Sequence, residues 1–243
     1  MTTRPPKKCK DWAEFELRLN SYFKKSGIRR GQWAFRGQAN ADWPLKASID
    51  RVHLFKNASD RQAQLAHYLR EFQRQATGLP FSHGFPETDR EWELLARHHG
   101  LPSAVLDWTS SPYIAAYFAF ADPSIKDSKP VSIWAFDRTY FESQSHAKAT
   151  PKDDPIEIWD EYIDLQVNPR AVEQQALFMR VNQPSPALEE VLQSHLLTFV
   201  LPSSVRSDSL GRLAAMGITA RRLFRDLDHA AETARWKAED SQP

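Results

Sequence analysis

Cysteine is nearly absent. Cys9 is the single one, which excludes an internal disulfide framework and any zinc site built from several thiolates. Glycine is also scarce, at 8 of 243 residues, while 14 Phe, 8 Trp and 6 Tyr are present. That balance excludes a disordered or low-complexity chain and supplies ample material for a packed core. No long apolar run exists: the longest, Tyr113 to Ala121, is nine residues, far below the roughly 20 that span a bilayer. The charged N-terminus has no apolar segment and no small-residue cleavage site, so no signal peptide is expected. A cytoplasmic protein with no membrane contact is the expectation. Neither charge dominates, with 32 Lys+Arg against 31 Asp+Glu. That sum hides an asymmetry. Residues 1–75 carry 16 basic against 7 acidic side chains, and the remainder 16 against 24.

No internal repeat is visible. Residues 1–10 read as a loose tail. Trp12, Phe15, Leu19 and Tyr22 form one helical face, with Asp11 as its cap and Gly27 as its end. Gln32–Gln38 reads as a short strand. Helices are expected over about Asp60–Ala76 and from Thr88, whose capping box with Glu91 marks a start, to Gly100. Leu101–Trp108 suits a buried strand. Ser111 and Pro112 then open a helix that is apolar nearly all round, through Ala121. Val131–Asp137, Ala176–Val181 and Leu196–Leu201 are further strands, with a helix over Pro186–Gln193. Thr139–Asp164 is acidic and irregular and reads as an excursion or lid. Two helices, Ser209–Met216 and Ala220–Trp236, close the chain. The expected fold is α+β: a single domain with a central mixed sheet flanked by helices.

Three clusters can carry chemistry. In the first, Arg36 sits among strand aromatics and offers a rigid fork of donors suited to phosphate or carboxylate. Gly37 after it permits close backbone approach of a ligand, and Gln38 adds an amide. The plainer reading pairs Arg36 with a structural carboxylate. The second cluster is His98-His99-Gly100-Leu101-Pro102 followed by Leu106-Asp107-Trp108-Thr109-Ser110-Ser111-Pro112. Here Asp107, Trp108 and the hydroxyls of Thr109, Ser110 and Ser111 lie between a buried strand and a buried helix, where free amides face an anion. Simple capping is the alternative. No third ligand lies near the two histidines, so no metal is expected. In the third cluster, Glu173 and Gln175 stand two apart before a strand and can project to one side. A solvent-facing turn is the alternative there.

The motifs FRGQ (Phe35–Gln38), HHGLP…LDWTSSPYIAAYFA (His98–Ala121), NPRAVEQQALF (Asn168–Phe178) and GITARRLFRDLDHAAE (Gly217–Glu232) together resemble the FRG domain family. The resemblance covers roughly Trp12 to Glu232. It implies one FRG domain over about 11–237, with an irregular acidic excursion at about 139–167 and short tails at 1–10 and 238–243. FRG proteins are mostly bacterial or phage-associated, which implies a toxin or phage-defence setting. One departure is that Ser103-Ala104-Val105 stands where the family usually has Thr-Arg-Leu, so an anion contact from that arginine is lost.

A more distant likeness is to ADP-ribosyltransferases of the Arg/Ser-Thr-Ser/Glu kind, and it implies an ADP-ribosyltransferase-like sheet. It also implies NAD as cofactor. Arg36 would hold the phosphate, Thr109 and Ser110 the nicotinamide side, and Glu173 with Gln175 the ribose, with Gly37, Gln38, Asp107, Trp108 and Ser111 as further cofactor-binding residues. Arg36, Glu173 and Gln175 would be catalytic. The last element departs from that pattern, because Gln175 stands where the catalytic glutamate is expected. A neutral amide supplies no countercharge to the developing cation.

Two function classes follow. One is a transferase-like or NAD-cleaving enzyme with a nucleotide pocket and a nucleic-acid or protein acceptor. The other is a non-catalytic module for nucleic acid or a phosphorylated ligand, using the basic, aromatic N-terminal third, where Lys24, Lys25, Arg29, Arg30 and Arg36 interleave with Trp33 and Phe35. Mutual neutralisation of the two charge halves is the plainer reading of that third.

Overall fold

A computed structural model describes residues 4–25, 32–80, 85–122, 129–139, 155–159, 169–184 and 188–240. The strands are β1 (Lys7–Lys8), β2 (Trp33–Gln38), β3 (Val105–Thr109), β4 (Val131–Asp137), β5 (Ile156–Trp159), β6 (Ala176–Val181) and β7 (Leu196–Leu201). The helices are α1 (Trp12–Lys25), α2 (Ser48–Val52), α3 (Ala58–Ala76), α4 (Asp89–His98), α5 (Pro112–Ala121), α6 (Pro169–Glu173), α7 (Leu188–Leu192), α8 (Arg206–Ala215), α9 (Ala220–Phe224) and α10 (Leu227–Asp240). One seven-stranded mixed sheet, ordered β1-β7-β4-β2-β3-β6-β5, makes the fold α+β. Only β1 and β7 run parallel among these pairs.

The start signals act as expected. Asp11 accepts from the Glu14 amide at 2.8 Å, Thr88 and Glu91 close a reciprocal capping box, and Ser111 accepts from the Ile114 amide. Alternation along β2 sends Trp33 and Phe35 into a core shared with α1 and α5, while Ala34 joins a second core on the opposite face. A third cluster, Leu94, Val105, Trp159, Ala171 and Phe178, joins α4 and α6 to the β3-β6-β5 half.

Several elements differ from their reading in sequence. Lys7 and Lys8 pair with Phe199 and Val200, and Cys9 is buried, so the expected loose tail is tied to a sheet edge before α1 begins. The third strand starts at Val105 rather than Leu101. The expected final helix is two, because Arg225 takes a left-handed conformation (φ 57°) and ends α9. Asp226 then accepts from the His229 amide at 2.9 Å and starts α10. The excursion holds an edge strand, β5, paired to β6; most of the rest of it, with Gly27, Lys24 and Lys25 side chains, Arg29 and Arg30, lies outside what is described. No helix among the described residues is long and apolar enough to cross a membrane.

The sheet is continuous within two halves and nearly parted between them. β2 registers with β4 over six residue pairs and β3 with β6 over five, but β2 and β3 meet only at Phe35–Thr109. Beyond that one pair the strands diverge, and the gap becomes the wall of a cavity.

Candidate functional site

The cavity beside this gap encloses about 390 Å³. β2 and α5 form one side through Phe35, Arg36, Gly37, Ala115 and Phe118. β3 and α4 supply Asp107, Trp108, Thr109, Leu94, Arg97 and His98, and the stretch from α6 to β6 supplies Arg170, Gln174 and Phe178. Phe224 of α9 closes the remaining side. Phe118 and Phe224 meet edge to face at 5.9 Å and are only partly covered; Phe224 already stacks on His229 at 3.8 Å, so Phe118 is the freer aromatic surface.

Arg36 bridges the parted strands: its Nη1 donates to the Asp107 carbonyl at 2.7 Å. Its Nε is buried with no hydrogen-bond partner among the described residues. Burial lowers the Arg36 pKa to about 10; Asp107 opposes that shift, and Arg97 and Arg51 reinforce it. The group is still a cation at neutral pH, held where its charge is poorly solvated. Arg97 sends its fork to the Asp107 carboxylate, Nε to Oδ1 at 2.7 Å and Nη2 to Oδ2. Burial raises the Asp107 pKa, but Arg97 outweighs it by charge and hydrogen bonding and Arg36 adds to that, so the carboxyl lies below its ordinary value. Burial, then Arg170 and His99, hold His98 below the ordinary imidazole value against the pull of Asp107. Arg170 pairs with Asp226 at 2.7 Å and lies over the Phe224 ring. The lining therefore carries three arginines against the single carboxylate of Asp107.

The sequence-derived site residues divide. Arg36, Gly37, Asp107, Trp108 and Thr109 line the cavity. Gly37 is there for the fold: a Cβ would stand 1.9 Å from the Ala115 carbonyl and 2.6 Å from the Ala119 amide, so α5 lies directly on the β2 backbone. Gln38 turns elsewhere, accepting from Trp134 Nε1 and donating to the Pro44 carbonyl at 3.4 Å. Thr109 donates to the Gln174 carbonyl at 2.7 Å and accepts from the Ser111 amide; Ser111 caps α5. Ser110 donates to Gln175 Oε1 at 3.1 Å, and both side chains are exposed outside the lining.

Glu173 and Gln175 do not project together. The chain turns between them, with Gln175 at φ 47°, and Glu173 lies 3.7 Å from Arg222 Nε and 3.4 Å from Arg225 Nη1. Neither lines the cavity; Gln174 does, donating to the Leu223 carbonyl at 3.2 Å.

Sequence reasoning missed Arg97, Arg170 and Phe224. Arg97 had a signal: Leu94, Arg97 and His98 fall at i, i+3 and i+4, one face of an amphipathic helix. Arg170 and Phe224 had none beyond their motifs, because a turn and a helix break place them. The departure at Ala104 has a local sequel. Ala104 is fully buried, its carbonyl accepts from the Val181 amide, and the Val181 carbonyl accepts from Arg61. A guanidinium thus stands beside this position, delivered by α3.

Among the described residues, no group of three or more His, Cys, Asp or Glu is placed to hold a metal. Comparison with protein families matches the model of the FRG domain to residues 31–128, a stretch that runs from before β2 past the end of α5. It holds Arg36, Arg97, Asp107 and Phe118, and stops short of Arg170 and Phe224, so it is narrower than the motif resemblance. No curated protein and no solved structure matches.

Proposed function

The chain carries an FRG domain at residues 31–128, and we propose that the cavity built on that domain binds a phosphate-bearing nucleotide, with NAD the dinucleotide to try first. One observation carries this reading. Arg36, a half-buried cation whose pKa burial lowers to about 10, lines a cavity whose cations outnumber its carboxylates. A cation held where it is poorly solvated is costly, and a phosphate that pairs with it relieves that cost. Phe118 offers a base an aromatic surface, and the volume suits a ligand of one or two nucleoside units.

Binding is favoured over group transfer. Asp107, the one lining carboxylate, is taken up by Arg97, and Glu173 by Arg222 and Arg225. Without a free carboxylate, nothing stabilises positive charge at a departing nicotinamide. The transferase reading, and with it a toxin or phage-defence role, requires Glu173 to leave its arginines and turn inward.

Calorimetric titration with AMP, ADP, ADP-ribose and NAD tests the proposal, alongside incubation with labelled NAD. Saturable binding of at least one, weakened about 10- to 100-fold by Arg36→Ala, is expected from loss of a charge-assisted hydrogen bond. Absence of binding by all four, or equal binding by the variant, overturns it. Release of labelled nicotinamide that Glu173→Gln abolishes would establish NAD cleavage instead, and ADP-ribosyl label appearing on an acceptor would establish transfer.

A further inference from the structure

Around the cavity mouth the positive charge continues onto the surface. Glu173 adjoins the lining residue Gln174, and Arg225 adjoins the lining residue Phe224. Arg222 and Arg225 are exposed over about two thirds of their side chains, at 65% and 60%, and share Glu173 as their partner at 3.7 and 3.4 Å. One carboxylate cannot neutralise two guanidinium groups, so this rim keeps an excess charge. A mononucleotide held on Arg36 has no use for it.

We infer that the ligand of this cavity is the phosphorylated end of a single-stranded nucleic acid: the terminal nucleotide occupies the cavity, and the next phosphates run over Arg222 and Arg225. This rests on the nucleotide reading of the cavity itself. Inside, arginines meet the terminal phosphate and Phe118 meets the terminal base. Outside, an exposed pair of cations follows the backbone without regard to sequence. Charged groove plus aromatic platform is the physics of single-strand binding. A phosphopeptide shares the phosphate but makes no use of Phe118 as a base platform.

The test compares thymidine octamers bearing a 5′-phosphate, a 3′-phosphate or neither with thymidine monophosphate, by fluorescence anisotropy and calorimetry on the full chain at two salt concentrations. One phosphorylated octamer is expected to bind at least about tenfold tighter than the mononucleotide and than the unphosphorylated octamer. Arg222→Glu/Arg225→Glu should lower octamer affinity to the mononucleotide level, leave mononucleotide affinity unchanged, and flatten the salt dependence by about 0.7 per lost phosphate contact. Equal affinity for octamer and mononucleotide, or a double variant that weakens both alike, overturns the inference while leaving the cavity reading intact. Tighter binding of a phosphoserine peptide than of any octamer also overturns it. Loss of mononucleotide binding altogether would count against the cavity reading instead.

Discussion

Gly37 and Arg36 are chain neighbours with separate duties. Gly37→Ala drives a methyl group into the α5 backbone rather than into a flexible side chain, and neither backbone can yield. Overpacking of this kind costs about 1–3 kcal/mol and more when backbone is struck; chemical denaturation of Gly37→Ala should show a loss at or above the top of that range. Arg36 is the reverse case. Burial lowers its pKa, so its charge costs the unliganded fold something at neutral pH. Arg36→Gln should leave the unliganded melting temperature unchanged or raised while removing the rise that a nucleotide produces; a large fall without ligand would make Arg36 a structural residue. Asp107 has its own signature in pH. Its carboxyl lies below its ordinary 3.8, so the stability from pairing with Arg97 is present in full above that value and lost as pH falls through the lowered one. The melting gap between the wild type and Asp107→Asn should be steady from pH 7 to about 5 and close in stronger acid.

At the scale of elements, α2 and α3 are joined to the sheet by a buried ion pair. Arg61, 1% exposed, donates from Nε and Nη2 to both Asp50 oxygens at 2.7 Å and from Nη1 to the Val181 carbonyl at 2.7 Å. Removing one partner of such a pair leaves a buried charge alone, so Arg61→Ala should cost about 3–5 kcal/mol by denaturant unfolding. A loss under 1 kcal/mol would mean that the pair contributes little.

Elements with local signals were legible in the sequence. Thr88–Glu91 and Ser111–Pro112 marked helix starts because capping acts within four residues. The apolar run through Ala121 announced α5, and alternation at Trp33 and Phe35 announced β2. What stayed hidden depends on partners distant in sequence. β1 is two residues held by β7, some 190 positions away. The break at Arg225 has no glycine to mark it; a non-glycine residue in the left-handed region is chosen by packing on both sides. Half of the candidate site shared this fate. Arg36, Asp107 and Thr109 were visible within motifs, whereas the turn at Gln175 that sends Glu173 toward Arg222 could not be read from a spacing of two.

Across the whole molecule, the near-zero charge sum misleads because neutralisation is local. Arg18, Arg61 and Arg74 pair with Glu14, Asp50 and Glu71 inside the basic first third, and Arg170 and Arg180 pair with Asp226 and Glu93 beyond it. One cluster of cations stands where the sheet parts between β2 and β3. There burial, Arg97 and Arg51 lower the proton affinity of Arg36, burial and Arg97 lower that of Arg51, and Asp107 with Glu93 raises that of Arg97. The fold opens a gap in its own ladder and sets an undersatisfied arginine across it. The most direct measurement is calorimetric titration of the wild type and Arg36→Ala with AMP, ADP, ADP-ribose and NAD. One saturable site for at least one of them is expected in the wild type, weakened about 10- to 100-fold in the variant. No binding of any of the four by the wild type, or the same affinity in both proteins, would contradict the nucleotide reading.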